Sequence, residues 1–315
     1  MVEPLIPGES PAGRRRPLLG YTMVWTAATL FAVNGTVSKV ILESGVSALR
    51  LSQVRTTGAL VGLAVVVLAV AARTLRVSRR ELAFLAAFGI GGLALVQLFY
   101  FLAIHRLPIG IALLIEYLAP LLVVLWARYV GHERVRRRIW VALACSLAGL
   151  ALVVQIWSGL ALDGWGVAAA LAGAVTFAAY FLMAERAVGR RDPLSLSVYG
   201  FLFAAAFWAA VQPWWTFPFD VADGSVSLLG RLADRTVPVW ALMVWMIVLG
   251  TIVPFLLVVG ALRHLSATRL GIVAMLEPVV ATVVAWAWLE ESLGPVQLLG
   301  GAVVLAGILL AQTAR

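Results

Sequence analysis

The sequence predicts an all-α membrane protein: ten transmembrane helices in two inverted five-helix repeats around a central cavity. Three observations carry that reading. Of the 315 residues, 63% are hydrophobic and only 12% are charged, against about 25% charged in a soluble domain. Too little polar surface remains to coat a water-soluble particle. Most of the 24 Lys and Arg residues fall between alternate apolar runs. The chain also repeats itself. A shift of 158 carries the stretch Leu107 to Tyr129 onto Ser266 to Leu289, with Pro120 on Pro278, Glu133 on Glu291 and Gly149 on Gly307.

The first residues, Met1 to Pro17, are rich in Pro and Gly and end in Arg14, Arg15 and Arg16. A cleaved signal peptide would follow such arginines with a short apolar core and a small-residue site. A full-length apolar run follows instead. Residues 1–17 are expected to form a disordered cytoplasmic tail, 18–158 the first five-helix repeat and 159–315 the second.

Ten runs approach the roughly 20 apolar residues that a bilayer demands. They are Leu19–Ile41, Ala48–Ala71, Glu81–Ala103, Leu107–Tyr129, Ile139–Trp157, Gly164–Glu185, Leu194–Trp214, Val237–Leu262, Ser266–Leu289 and Val296–Gln312. With ten spans, one side receives Arg14–Arg16, Arg73–Arg80, Arg128–Arg138, Arg186–Arg191, Arg263–Arg269 and Arg315. The other receives Glu43, Asp163, Asp220, Asp223, Asp234, Glu290 and Glu291. The positive-inside rule then puts both termini in the cytoplasm of a multi-pass inner or plasma membrane protein. Five spans per half is an odd number, so the second half enters from the opposite side. Inverted repeats of this kind place a substrate site near the midplane, between halves that rock. Phe31 falls near Phe177 when the first helices of the halves are compared. The longest loop, Trp215 to Thr236, carries aromatics expected at the outer interface, with a lid as the alternative role.

Small residues mark helix contacts. Gly58 and Gly62 lie one turn apart in the second run. Ala144, Ala148 and Gly149 in the fifth run pair by repeat with Ala302, Ala306 and Gly307 in the tenth. Such faces let backbones approach. They are read as packing, and the protein as a monomer or weak homodimer.

Two acids stand in this apolar sequence. Glu116 lies about 13 Å into the fourth run at 1.5 Å rise per residue, four residues before Pro120. Glu277 lies in the ninth run beside Pro278. In the repeat frame the two acids sit three residues apart, on similar faces. A charge at mid-bilayer costs about 2.5–3.5 kcal/mol on insertion scales and usually marks an ion or proton path. Pro120 leaves the carbonyl of Glu116 without its helical donor, and Pro278 does so for Ala274. Broken helices at this depth are tolerated against protein or a wet cavity. The alternative for each acid is a hydrogen bond that only glues the bundle.

Asn34, Thr36, Gln97, Tyr100, Tyr117, Thr176, Tyr180 and Thr251 are candidates to line the same cavity. For each, the competing reading is an interhelical hydrogen bond worth about 0.6 kcal/mol. Pro120, Pro254 and Pro278 are candidate hinges, and Pro254 reads equally as a kink. Lys39, with Glu43 four residues on, either snorkels to the outer interface or forms an outer gate. Arg55, seven residues into the second run, either snorkels or holds a substrate carboxylate.

Enzyme motifs are absent: no HExxH, GxSxG, GxxxxGK[ST] or GxGxxG occurs. No metal or cofactor is expected. The single cysteine, Cys145, and three scattered histidines offer no metal cluster. The net charge of +9 belongs to the loop arginines, not to a nucleic-acid surface. Without a nucleotide site, uphill transport must draw on an ion or substrate gradient.

Residues 276–310, LEPVVATVVAWAWLEESLGPVQLLGGAVVLAGILL, resemble the EamA domain of the drug/metabolite transporter superfamily. There a mid-helix Glu-Pro precedes an acid pair and a Gly-rich final helix. Residues 98–120, LFYFLAIHRLPIGIALLIEYLAP, look most like the threonine/homoserine exporter branch. The first copy departs from the pattern, with Ala119-Pro120 replacing Glu-Pro and the acid moved to Glu116. The resemblance implies a basket of helices one to four and six to nine, with five and ten as outer supports. It also implies export of small metabolites by proton exchange. The expected partners are a small-molecule substrate, protons and the bilayer. The expected function is export of a small polar metabolite such as an amino acid. Export of amphipathic drugs or lipid-linked or nucleotide sugars stays open, as does a non-transporting scaffold or an unrecognised intramembrane enzyme.

Overall fold

The computed structural model describes residues 16–70, 75, 77–104, 106–107, 112, 115–154, 163–290 and 294–313. Residues 1–15 of the expected tail, and Arg73, His105, Trp157, Glu291 and Arg315, lie outside them. So does most of the stretch before Glu116 in the expected fourth run.

Apolar sequence of this kind forms helices because hydrocarbon satisfies no backbone N–H or C=O, whereas a helix satisfies them internally. The helices are α1 (Pro17–Glu43), α2 (Ala48–Val70), α3 (Arg79–Ala87), α4 (Leu95–Ile104), α5 (Ala119–Tyr129), α6 (Arg137–Val154), α7 (Gly164–Val188) and α8 (Pro193–Val211). They continue with α9 (Phe219–Ala222), α10 (Val239–Ile247), α11 (Val253–Ala261), α12 (Ala267–Ala274), α13 (Leu276–Leu289) and α14 (Pro295–Thr313). A π-helical segment, Phe88–Ala94, joins α3 to α4, and a second, Val248–Ile252, joins α10 to α11. Seven described stretches are long and apolar enough to cross a membrane: Pro17–Glu43, Ala48–Ala69, Glu81–Ala103, Gly164–Val188, Pro193–Val211, Val239–Ala261 and Ala267–Leu289. Ala119–Tyr129 and Pro295–Ala311 are shorter apolar helices.

Caps fix several starts. Ser78 and Glu81 form a reciprocal capping box on α3. Asp163 accepts from Gly166 N at 2.7 Å and Asp192 from Leu194 N at 2.9 Å. Pro17, Pro193 and Pro295 open their helices, where the missing N–H costs nothing.

The fourth and ninth runs are broken, as their prolines lead one to expect, but each break falls about one turn before its proline. Leu118 N donates to Ile115 O at 3.0 Å, and Met275 N to Ile272 O at 3.2 Å. These tightened i→i−3 turns end one helix and start the next. Pro120 and Pro278 then sit in the first turn of α5 and α13, where a proline breaks no ladder.

The π segments go unmarked by the hydropathy pattern. Gly92 and Gly250, one in each, stand 158 apart. A Cβ on Gly92 would come within 3.2 Å of Tyr180 Cα, and one on Gly250 would overlap the Asn34 side chain. Asn34 and Tyr180 share the 146-residue register of Phe31 and Phe177. Each π segment therefore packs, through a glycine, on the equivalent residue of α1 or α7.

α6 and α14 cross with their backbones in contact. A Cβ on Gly149 would meet Gly300 O at 2.7 Å, and one on Gly307 would meet Ala142 O at 2.8 Å. Gly58 and Gly62 of α2 pack against Ile247 and Ile252. The glycines of the expected faces are thus in contact, whereas Ala144, Ala148, Ala302 and Ala306 are exposed.

The all-α expectation needs one correction. The loop after α8 holds a two-stranded antiparallel hairpin, Ser225–Ser227 with Thr236–Pro238. Phe217 and Val226 of this loop are buried against Val37, Val40 and Ile41 of α1 and Leu242, Met243 and Met246 of α10. Trp288 Nε1 donates to Leu228 O at 2.8 Å, and Arg50 donates to Pro213 O at 3.1 Å and to Thr216 Oγ1. The loop is a folded lobe tied to α2 and α13, although Trp215 and Phe219 remain exposed.

Candidate functional site

A cavity of about 930 Å³ lies within the bundle, bordered by α1, α2, α4, α7, α13 and the Glu116–Tyr117 turn. It runs to Lys39 and Glu43 at the end of α1, Leu289 at the end of α13 and Gln297 in α14. That is the side away from the arginine-rich loops. On the arginine side the elements are tied together. Arg191 pairs with Glu81 at 2.8 Å and Arg263 with Asp192 at 3.1 Å. Glu185 Oε1 accepts from Ala267 N at 2.9 Å, and Gly20 of α1 packs closely on Leu265.

Glu116 and Glu277 both border the cavity. The helix breaks bring them there: the tightened turn at Tyr117–Leu118 follows Glu116, and Glu277 opens α13. Glu116 is buried, at 8% exposure. Tyr117 Oη donates to Glu277 Oε2 at 2.9 Å, so the fourth and ninth stretches meet through one hydrogen bond. Asn34, Gln97, Tyr100 and Tyr180 also border the cavity, as does Thr36. Asn34 Oδ1, Gln97 Oε1 and Tyr180 Oη have no hydrogen-bond partner among the described residues. A buried polar atom without a partner costs about 1–3 kcal/mol, and Asn34 Oδ1 is packed against Gly250 rather than open to the cavity.

Arg55 borders the cavity from α2. Its Nε donates to Thr251 Oγ1 at 3.0 Å, and its Cζ lies 5.9 Å from the Phe255 ring centroid. Phe31, Phe177, Tyr180, Phe181 and Phe255 form an aromatic wall, with Phe31 edge-on to Phe255 at 5.3 Å and Phe177 tilted on Phe181 at 4.5 Å.

Two expectations need correcting. Thr251 is fully buried behind the cavity and reaches it through Arg55. Thr176 turns its hydroxyl onto its own helix, at 3.0 Å from Ala172 O and 2.9 Å from Gly173 O. Of the prolines, Pro278 borders the cavity, whereas Pro120 packs against Gly271 and Pro254 is buried in α11. Lys39 borders the end of the cavity away from the arginine-rich loops. Phe181 and Phe255 were not singled out from the sequence, because apolar residues in apolar runs carry no signal of their own. Among the described residues, no three His, Cys, Asp or Glu side chains group as a metal site.

Residues 18–155 and 164–313 each match the EamA-like transporter family. The two matches start 146 residues apart and end 158 apart, the two registers found in the packing. The chain is 28% identical over 243 residues to the threonine/homoserine exporter RhtA of Escherichia coli strain K12, covering 76% of this chain and 75% of that protein. It is 27% identical over 212 residues to an uncharacterized transporter of Archaeoglobus fulgidus, covering 67% and 70%. It is 28% identical over 250 residues to a probable terminal-alkyne amino-acid exporter of Streptantibioticus cattleyicolor, covering 78% and 79%. A solved crystal structure superposes with a TM-score of 0.74 at 20% identity, covering 93% of this chain and 96% of its own, which gives the fold alone. With a cavity between two matching halves, an acid bordering it from each and family matches over both, the chain belongs to the EamA-like transporter family.

Proposed function

We propose that the protein is a secondary carrier that exports a small polar metabolite, an amino acid of the threonine/homoserine kind, in exchange for protons. The single observation that carries this reading is that Glu116 and Glu277 face one cavity, each beside a helix break. A carboxylate kept at such depth serves a proton or cation path far more often than it serves packing. The reading takes the bundle as ten spans in two inverted halves, 18–158 and 159–315, in the cell membrane with both termini cytoplasmic. Alternating access then follows from rocking of the halves about the broken helices, with Pro120, Pro254 and Pro278 at or beside the bends. The names of the amino-acid exporters among the relatives support the substrate class. Glu116 is assigned the proton, Glu277 the partner that Tyr117 holds in place, and Asn34, Gln97, Tyr100 and Tyr180 the polar lining. The aromatic wall favours a second reading, export of amphipathic compounds.

The test is efflux of labelled threonine from proteoliposomes with and without an imposed pH gradient, for wild type and Glu116→Gln. The gradient should accelerate wild-type efflux, and Glu116→Gln should abolish it while the protein still inserts. Undiminished transport by Glu116→Gln would sink the role given to this acid.

A further inference from the structure

We infer that Arg55 is the anchor for a substrate carboxylate, with Thr251 and Phe255 as the positioning residues that aim it. The inference rests on the carrier reading above and names the substrate class of that site: zwitterions with a free carboxylate.

The aim comes from one hydroxyl. Thr251 Oγ1 gives its proton to Met246 O at 2.9 Å, five residues back, across the π segment of the helix. With that proton committed, the same oxygen is free to accept, and Arg55 Nε is the donor at 3.0 Å. The Phe255 ring flanks the guanidinium. One of the five guanidinium N–H groups is therefore used for positioning. The other four, on the terminal amino groups, make no hydrogen bond or ion pair with the described residues, and Arg55 borders the cavity. That planar fork matches a carboxylate in a two-point contact, which a lysine ammonium does not reproduce.

A purely structural arginine would be expected to close on the nearest acid. Glu277 is near enough for the two charges to interact, yet among the described residues no ion pair joins them. Each is held by a different hydroxyl, Arg55 by Thr251 and Glu277 by Tyr117. Cation and acid border the same cavity. A zwitterion fits that arrangement, with its carboxylate on Arg55 and its ammonium towards Glu277 and Glu116.

The test uses the full chain in proteoliposomes and labelled threonine counterflow, competed by unlabelled threonine, threonine amide and the decarboxylated amine. Wild type should prefer the acid over both analogues by at least about 30-fold, the low end for one lost partner of a buried charged pair. Arg55→Gln should lose that preference, and Arg55→Lys should recover only part of it. Thr251→Val should raise KM with little change in maximal rate, and Thr251→Ser should restore KM. Competition by the amide or amine as strong as by the acid overturns the anchor and leaves the carrier reading intact. An unchanged preference in Arg55→Gln does the same. The wild-type analogue series decides the matter even where a variant fails to insert. Absence of threonine counterflow in wild type would sink the carrier reading, and the anchor with it.

Discussion

The crossing of α6 and α14 gives a prediction whose size follows from the coordinates. A Cβ placed on Gly149 lies 2.6 Å from Val304 N and 2.7 Å from Gly300 O, both backbone atoms, whereas ordinary contact begins near 3.4 Å. Neither atom swings aside as a side chain does, so Gly149→Ala requires the helices to part by about 0.7–0.8 Å at the crossing. Overpacking of this kind costs about 1–3 kcal/mol. Alanine also restores helix propensity, which works in the opposite direction by up to about 1 kcal/mol. Gly35→Ala isolates that second effect, since nothing lies within 4 Å of a Cβ there. Gly149→Ala should therefore unfold more easily than Gly35→Ala by about 1–3 kcal/mol. Equilibrium unfolding of both variants in mixed micelles measures the difference. Gly149 does not border the cavity, so KM for a transported substrate should stay at its wild-type value. Equal stability of the two variants would refute backbone contact between α6 and α14.

Two further expectations concern single hydroxyls. Tyr117→Phe removes the donor to Glu277 Oε2 and should lower stability by about 1 kcal/mol and slow transport, read from unfolding and efflux on the same preparation. Thr176→Val should change stability by no more than about 0.5 kcal/mol and leave efflux unaltered, because the hydroxyl serves only its own helix.

The contrast between Thr176 and Thr251 shows where the sequence is legible and where it stops. The apolar runs are plain, and so are the acids, because charge inside hydrocarbon stands out against every neighbour. Both threonines look alike: a polar residue in mid-span. What separates them is the face each presents, and a π segment changes that face. One extra residue in a turn rotates all that follows by about 100°, so a helical wheel drawn through α10 misplaces side chains beyond Ile252. Local propensity does not distinguish an i→i−5 ladder from an i→i−4 one, and the segment VLGTI reads as ordinary helix. The outer hairpin escaped for a different reason. The Trp and Phe residues that precede it match an interfacial loop by composition, and only the tertiary fold buries Phe217 against α1.

The two halves use one backbone plan for unlike chemistry. Gly92 and Gly250 each let a π segment press on the first helix of the other half, but the residue pressed is Tyr180 in one case and Asn34 in the other. The next residue along is Leu93 in the first segment and Thr251 in the second, and only Thr251 offers an oxygen to hold Arg55. The acids differ too: Glu116 precedes its helix break and Glu277 follows its own. Under the proposed carrier reading, matching backbones would let the halves exchange conformations without a new fold at each step. Unmatched side chains give the cavity Arg55 from α2, Glu116 from the fourth stretch and Glu277 from α13. Under the proposed reading, a carrier for a dipolar substrate needs both properties at once, and a fully symmetric duplication would supply only the first.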